Sequence, residues 1–248
     1  MSESHYALGL DIGIGSVGWA VLQNNLNGEP IRIWDLGVRI FDKAEQPKTG
    51  ESLAAPRRDA RSTRRRLRRH RHRLERIKYL LEQTNIMTCQ EIKEFYERGG
   101  FTVTPYQLRA EALDRLLTKE EIVRVLIHLA QRRGYKSNST AEAASNKEDG
   151  LVKAAIKENQ DCMMKNGYRT VGEMMYRDQR FWQTNPDGTR YQQTRNKADD
   201  YRFTVDRISV VDEIHQIFAA QRRLGSAWMS ETLEQVYLSI FESQRSFD

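Results

Sequence analysis

The sequence predicts an α+β fold in which a short antiparallel β segment precedes a long arginine-rich helix and a mainly helical remainder. Apolar residues alternate between turn signals in residues 6–41. Apolar positions recur every three or four residues through an arginine run, and helix-start signatures dominate after Thr84. We therefore expect three segments, which span residues 1–50, 51–83 and 84–248.

Residues 6–41 have the pattern of three strands joined by turns. In the stretch LGLDIG, leucine and isoleucine alternate with glycine and aspartate. The stretches GSVG and NLNGEP then supply turns before WAVLQNN and IRIWDLGVRIF. The expected arrangement is an antiparallel three-stranded meander.

Residues 57–76 contain eleven arginines and no lysine. Against Asp59 and Glu75, these arginines give the run a net charge of +9, whereas the whole chain carries +6 and the remainder therefore sums to −3. Because the guanidinium fork matches phosphate oxygens, this local charge predicts nucleic-acid binding. The predicted RNA-binding residues of the run are Arg57, Arg58, Arg61, Arg64, Arg65, Arg66, Arg68, Arg69, Arg71, Arg73 and Arg76.

A narrow stripe of apolar or weakly polar residues crosses the same run at helical spacing, with a row of arginines on each side. A solvated basic face, a localisation signal and a disordered arm are the simpler explanations of a basic run. The regular stripe instead favours a helix that packs on protein along one side. The stripe comprises Ala60, Thr63, Leu67, His70, Leu74, Ile77 and Leu81.

The remainder is predicted to be helical because threonine–glutamate pairs with capping-box spacing mark several helix starts. Two apolar faces are expected to end at Gly134 and Gly225, and Thr104 with Pro105 opens a further helix. Polar composition predicts loops at residues 137–150 and 183–200. The capping pairs are Thr88 with Glu91, Thr118 with Glu121, and Thr170 with Glu173.

Composition limits the remaining classes. The chain has no stretch of eighteen apolar residues and no signal-peptide pattern at its start, so we expect a soluble cytoplasmic protein without a membrane partner. Cys89 and Cys162 are isolated, and His70 and His72 lack nearby partners. No disulfide framework or zinc site is predicted.

Asp11 is the candidate metal ligand and catalytic residue, because it is a carboxylate flanked by glycines within an apolar strand. The pattern DIGIGSVGWA fits a divalent-metal ligand on a ribonuclease H type sheet or the phosphate hairpin of an actin-like ATPase. A hairpin with an ordinary strand-end aspartate is the simpler alternative. Two-metal hydrolysis needs several acidic ligands, and we interpret Asp35 and Asp42 as surface or turn residues.

The segment HLAQRRGYKSN is a second candidate nucleic-acid site. Arg132, Arg133, Tyr135 and Lys136 cluster at a predicted helix end, where cations can hold a phosphate backbone and an aromatic ring can stack on a base. The alternative is that these cations complement the helix dipole and that Gly134 is a cap. Spacing alone leaves both interpretations open.

Three motifs in order resemble the N-terminus of the RNA-guided DNA endonucleases of type II CRISPR systems, in particular the compact type II-C branch. They are LGLDIGIGSVGWAV, then DLGVRIFDKAEQPKTGESLAAPRRDARSTRRRLRRHRHRL, then PYQLRAEALDRLLTKEEIVRVLIHLAQRRGYKSN. The resemblance is dense to about Asn138 and thinner to Asp248. Motifs linked in order are more specific than any one of them.

The resemblance implies that residues 6–41 are the first of three segments of a RuvC nuclease domain, with Asp11 as a ligand of Mg²⁺. The arginine run is similar to the bridge helix that grips guide RNA, and the remainder to the start of the recognition lobe. Arg132, Gly134 and Tyr135 fall in a matching motif. In this family, pairing of the guide RNA supplies sequence specificity for target DNA.

The chain ends at Asp248 without later RuvC segments or a second nuclease, so we expect an N-terminal fragment that is inactive alone. Its expected partners are guide RNA, the remaining nuclease domains, target DNA in the complete enzyme, and an acidic anti-CRISPR inhibitor. A standalone arginine-rich RNA-binding module is the alternative. An actin-like ATPase is disfavoured because no second phosphate hairpin follows.

Overall fold

The computed structural model describes residues 5–13, 15–42, 45, 48–50, 52–136, 147–196 and 200–243. The chain divides into two compact units between Arg66 and Leu67, within a single helix. The three sequence segments stay predictions. The elements are β1 (His5–Ile12), β2 (Ser16–Asn24), β3 (Pro30–Ile40), α1 (Ala54–Gln83), α2 (Cys89–Arg98), α3 (Pro105–Glu111), α4 (Lys119–Gln131), α5 (Lys147–Asn166), α6 (Val171–Arg177), a 3-10 turn (Gln179–Phe181), β4 (Trp182–Thr184), β5 (Arg190–Gln192), α7 (Arg207–Arg223) and α8 (Glu231–Glu242).

The first unit contains an antiparallel sheet in the order β1-β2-β3, as the sequence predicts. The first turn closes where the Gly13 amide donates to the Ser16 carbonyl at 2.9 Å. In the second turn, the side chain of Asn25 accepts from the backbone of Asn27 and Glu29, and Gly28 has a φ of 83°. The meander follows from turn chemistry that the sequence displays.

Helix α1 has two different halves. Its first turn contains Pro56, which is tolerated there because first-turn amides have no helical acceptor. The stripe is exposed at Leu67, whereas Leu74 is half-buried and Ile77 and Leu81 are fully buried. Only the C-terminal half of the stripe therefore packs into a core.

The second unit has one hydrophobic core built around α4, in which all residues from Leu126 to Ala130 are buried. Ile77 and Leu81 of α1 contribute to the same core. Tyr237 of α8 is fully buried and donates a hydrogen bond to the Leu126 carbonyl at 2.7 Å. The described residues thus contain both sheets and helices, and the α+β prediction is confirmed.

Two of the three predicted capping boxes are present, those of Thr88 with Glu91 and Thr118 with Glu121. At α6 only half of the third box forms. The Glu173 amide donates to the Thr170 hydroxyl at 3.2 Å, but the Glu173 carboxylate accepts from the amide of Arg169 instead. Arg169 competes because its side chain also binds Glu173.

The loop predictions are partly wrong. Residues 137–146 lie outside the described residues, but residues 147–150 begin α5. The stretch 183–200 contains the β4–β5 hairpin, in which the Asn185 amide donates to the Thr189 carbonyl at 2.8 Å. Its Asp187–Gly188 turn is a hairpin signal that the polar composition obscured. Residues 197–199 lie outside the described residues.

Candidate nucleic-acid interface

The arginines in the first part of α1 are mostly exposed. Seven of them are exposed, and Arg65 and Arg69 are half-buried. Arg66 donates to the Thr63 hydroxyl one turn earlier at 3.3 Å, which orients that guanidinium along the helix. The exposed members up to residue 71 are Arg57, Arg58, Arg61, Arg64, Arg66, Arg68 and Arg71.

Four arginines of this surface keep their charge without an acidic neighbour to pair with. Within the part of the chain that the structure describes, Arg57, Arg61, Arg64 and Arg71 form no ion pair. Surface guanidinium groups without carboxylate partners keep their positive potential and their donors for a ligand. This part of α1 is therefore a cationic ridge.

Arg73 and Arg76, at the end of the arginine run, bind the protein itself. Arg73 is half-buried, and its Nε donates to the Ala130 carbonyl at 3.0 Å. Burial and the nearby guanidinium of Arg207 lower the pKa of Arg73. Arg76 donates to the Ser243 hydroxyl at 3.2 Å. The last turns of the run thus attach α1 to the helical unit.

The residues of the RRGYK segment do not form a simple surface cluster. Arg132 and Lys136 are exposed, whereas Arg133 and Tyr135 are half-buried. Arg133 donates to the Phe241 carbonyl at 2.6 Å and lies 5.9 Å from the centre of the Phe241 ring. The structure brings Arg132 and Arg133 close to Arg73 but leaves the ridge arginines before residue 67 in the other compact unit.

Gly134 is not a helix cap, because α4 ends at Gln131 and Arg132 is its C-cap. Gly134 has a φ of 76°, and a Cβ there would lie 2.6 Å from the Asp206 carbonyl oxygen. Glycine is required because the chain passes so close to the backbone that leads into α7. Gly225, by contrast, comes immediately after Leu224, the C-cap of α7, and has a φ of 87°, as expected for a glycine that ends a helix.

Asp11 lies on an open part of the sheet rather than in a buried pocket. It pairs with Gly18, which in turn pairs with Val38, so these residues share one face. Asp11 is exposed, and its glycine neighbours leave the space beside its carboxylate free. Among the described residues, no group of three histidine, cysteine, aspartate or glutamate side chains could hold a metal ion.

The other acids near the sheet do not assist Asp11. Asp35 pairs with Val21, which pairs with Leu8, so Asp35 lies on the opposite face. Its carboxylate accepts from the Leu36 amide at 2.8 Å. Asp42 lies beyond the end of β3. The interpretation of both as surface or turn residues is consistent with these positions.

Arg207 is a further cationic residue near the RRGYK segment that the sequence analysis missed. It begins α7, and its Nη2 donates to the Gly134 carbonyl at 3.4 Å. Its Nε is buried and has no acceptor among the described residues. No local pattern singles out Arg207, because the contact joins residues 73 positions apart in the chain.

None of the helices in the described residues is long and apolar enough to cross a membrane.

No protein-family model matches the sequence. The chain is 37% identical to the CRISPR-associated endonuclease Cas9 of Campylobacter jejuni over 94% of its own length and 23% of that protein. A crystal structure of Campylobacter jejuni Cas9 with sgRNA and target DNA matches with a TM-score of 0.65 at 33% identity, over 98% of this chain and 30% of that chain. A St1Cas9 complex with sgRNA and AcrIIA6 matches in fold, with a TM-score of 0.58 at 24% identity over 98% of this chain and 26% of that one. The chain thus spans about a quarter of the length of the curated relative.

Proposed function

Because the chain belongs to the Cas9 family of CRISPR-associated endonucleases, we propose that it forms the N-terminal part of an RNA-guided DNA endonuclease and grips guide RNA through α1. The observation that carries this proposal is the cationic ridge. Four of its exposed arginines, Arg57, Arg61, Arg64 and Arg71, form no ion pair among the described residues. The solved complex of the Campylobacter jejuni relative contains sgRNA and target DNA, which supports the same ligand class here.

The geometry of the ridge suits a phosphate backbone. Arg57, Arg61, Arg64 and Arg71 share one side of the helix, at successive spacings of four, three and seven residues. The row from Arg57 to Arg71 extends roughly 20 Å at the rise of an α-helix. A regular row of forked donors can follow successive phosphates without reading bases, which is how a protein holds an RNA whose sequence varies.

The test is a titration of the chain with guide RNA over a range of salt concentrations. Changing Arg57, Arg61, Arg64 and Arg71 to Ala is expected to lower the salt slope of log affinity by about 3, since each contact to a single strand contributes about 0.7. A scrambled RNA of equal length measures whether the guide sequence matters. Preference for guide RNA favours the nuclease part over a standalone RNA-binding module.

A control variant separates the ridge from total charge. Lys153, Lys157, Lys165 and Arg195 are also exposed, so changing them to Ala removes the same four charges elsewhere. We expect this control to weaken RNA binding far less than the ridge variant. Equal losses in the two variants would contradict a specific role of α1 and indicate nonspecific attraction.

For Asp11 we propose the role of one Mg²⁺ ligand, consistent with its exposed position beside glycines on the sheet. The described residues do not complete a site, because Mg²⁺ takes six oxygen ligands and Asp11 supplies a single carboxylate without acidic neighbours. We expect no guide-dependent DNA cleavage by the purified chain with Mg²⁺ or Mn²⁺, and nicking that Asp11→Ala abolishes would contradict this.

Further segments of the nuclease are proposed partners of the sheet. Apolar side chains are exposed on both of its faces: Leu10 and Ile12 on one, Leu36 and Val38 on the other. Strands that carry apolar side chains on both faces are typical of sheets that are covered on both sides. Co-expression with the rest of the gene product is expected to protect β1–β3 from hydrogen exchange.

An acidic inhibitor protein is the last proposed partner. The exposed arginines of α1 offer a surface of one charge sign, to which an acidic protein is attracted. A salt-sensitive complex with an acidic anti-CRISPR protein is expected to dissociate when Arg61 and Arg64 are changed to Glu. Unchanged binding by this double variant would exclude α1 as the docking site.

A further inference from the structure

His70 lies where the stripe of α1 passes from exposed to buried. Leu67, almost one turn earlier, is 65% exposed, whereas His70 and Leu74 are half-buried and Ile77 is fully buried. A half-buried imidazole at this position contacts the helical unit and is still reached by solvent. Its ring nitrogens form no hydrogen bond or ion pair within the part of the chain that the structure describes. They are therefore available to a ligand.

The charges that surround His70 are positive. Within its own helix, residues 66–74 include five arginines and no acid. From the segment after α4, the charges of Arg132 and Arg133 act on the imidazole together with that of Arg73. Hydrogen bonds to backbone carbonyls hold the guanidinium groups of Arg73 and Arg133 in place. The positive field at His70 is therefore a fixed feature of the fold.

The helices behind these arginines contribute one more cation and one carboxylate. Arg207, at the start of α7, lies close enough to Arg73 and Arg133 to help lower their pKa values. Glu242 of α8 opposes this effect, since its carboxylate raises the pKa values of Arg133 and Arg207. The charges that act on His70 itself, among the described residues, are those of three arginines. Glu242 therefore does not compensate the field at the imidazole.

This environment keeps His70 neutral until an anion arrives. Burial, followed by the charges of Arg73, Arg132 and Arg133, lowers the pKa of His70 below its usual value of 6.5. At neutral pH the imidazole is therefore uncharged in the free chain. A phosphate group beside these arginines brings negative charge to the same place, and an imidazolium donates from both ring nitrogens to phosphate oxygens. Binding of a polyanion thus favours the protonated form of His70.

We propose that His70 is a proton-linked RNA-binding residue: it takes up a proton from solvent when RNA binds, so the affinity for RNA increases as the pH falls. The inference rests on the proposed function and adds regulation by pH to the RNA-binding surface of α1. The arginines of α1 carry their charge throughout the physiological pH range, whereas a histidine carries it only when protonated. Protonation and RNA binding then reinforce each other, because each favours the state that the other stabilises.

The test counts the protons that accompany RNA binding. Isothermal titration calorimetry of the full chain with guide RNA at pH 6.5, in two buffers of different ionisation enthalpy, gives this number. We expect the native chain to take up about half a proton and His70→Gln to take up almost none. His72→Gln is the matched control, because His72 is a half-buried histidine two positions further along the same helix, and its uptake is expected to match the native value. Unchanged uptake in His70→Gln, or a loss confined to His72→Gln, would overturn the inference.

The pH dependence of affinity gives a second readout that a merely structural role of His70 would not produce. Between pH 7.5 and 5.5 we expect the native chain to bind RNA about tenfold more tightly, with a salt slope steeper by about 0.7, one added contact. His70→Arg carries a permanent charge, so at pH 7.5 it is expected to match the affinity of the native chain at pH 5.5. Affinity of His70→Arg that equals the native value at pH 7.5 would overturn the inference. If the variants do not fold, as judged by circular dichroism, the NMR titration of His70 in the native chain decides: a midpoint that RNA does not raise would overturn it.

The outcomes also separate this inference from the proposed function. If the Ala variant of Arg57, Arg61, Arg64 and Arg71 weakens RNA binding but the native affinity does not change with pH, only the role of His70 fails. If the chain binds no RNA at low salt, both proposals fail. Binding that the Ala variant weakens, and whose pH dependence His70→Gln removes, supports both.

Discussion

Arg109 and a group of three half-buried arginines, Arg73, Arg133 and Arg207, which we call the arginine cluster, show two ways in which a fold holds arginine side chains. Arg109 is 1% exposed, and its Nε and Nη2 donate to the two carboxylate oxygens of Glu213 at 2.7 and 2.5 Å. The Gly172 amide also donates to Glu213, and Nη1 of Arg109 donates to Nδ1 of His128. The arginine cluster has comparable donors but forms no ion pair with a carboxylate among the described residues.

The difference teaches which charges serve the fold and which are available to a ligand. Although burial disfavours the charged form of Arg109, Glu213 raises its pKa overall, so the guanidinium stays charged. In the cluster, the pKa values of Arg73, Arg133 and Arg207 are all lowered. A cation neutralised within the protein is part of its architecture, whereas uncompensated cations bind an external anion favourably.

The largest expected effect comes from breaking the compensated pair. Glu213→Gln leaves a fully buried, unpaired guanidinium, so we expect the free energy of unfolding to fall by about 3–5 kcal/mol. Urea denaturation followed by circular dichroism measures this change. The control is Glu120→Gln, which removes an exposed pair with Arg98 and is expected to cost less than about 1 kcal/mol. Similar losses in both variants would contradict the distinction.

The contrast between these regions also shows what the sequence could predict. Local patterns specified the meander and the starts of α2 and α4, because turns and capping boxes depend on residues within five positions of each other. The Arg109–Glu213 pair joins residues 104 positions apart. Nothing in the neighbourhood of either residue identifies the other, so sequence periodicity could not reveal it.

The candidate interface was predictable to a similar extent. Arginine spacing indicated the ridge, but it could not show that the stripe is buried at Ile77 and exposed at Leu67, since a periodic pattern marks a face and not its partner. Arg133 was selected as a candidate RNA-binding residue, yet its guanidinium donates to the Phe241 carbonyl. Arg207 was missed because only tertiary contacts place it near Arg73.

A second prediction disrupts the arginine cluster through the backbone. Gly134→Ala combines a left-handed φ with a collision against Asp206, so we expect a loss of about 2–4 kcal/mol in unfolding free energy. Gly225→Ala is the matched control, since its φ is also left-handed but a Cβ there meets nothing within 4 Å. We expect it to cost only about 1 kcal/mol. Equal costs would show that the close approach at Gly134 does not matter.

The smallest expected effect concerns pH and the buried network of Arg109. Burial, followed by the charges of Arg109, Arg132 and Arg124, lowers the pKa of His128 well below its usual value of 6.5. The ring of Tyr106 packs edge-on against the His128 ring, with 4.8 Å between the ring centres. Glu213 accepts a hydrogen bond from Nε of Arg109. Since the guanidinium only donates, Nδ1 must accept, and His128 is neutral in the folded chain.

The sign of the pH effect follows from that lowered pKa. Below pH 6.5 the unfolded chain binds a proton at His128 that the folded chain does not, so stability is full above this pH and falls as pH decreases. One proton corresponds to at most about 1.4 kcal/mol per pH unit. Urea denaturation between pH 7 and 5 measures the slope, which His128→Gln is expected to reduce. The pKa of His70 is also lowered, so His70 contributes to the slope with the same sign. Measuring His70→Gln shows how much of the slope comes from this histidine beside the arginine cluster. A slope unaffected by His128→Gln would mean that His128 can be protonated in the folded chain without a loss of unfolding free energy. Glu213 would then compensate the charge of His128 as well as that of Arg109.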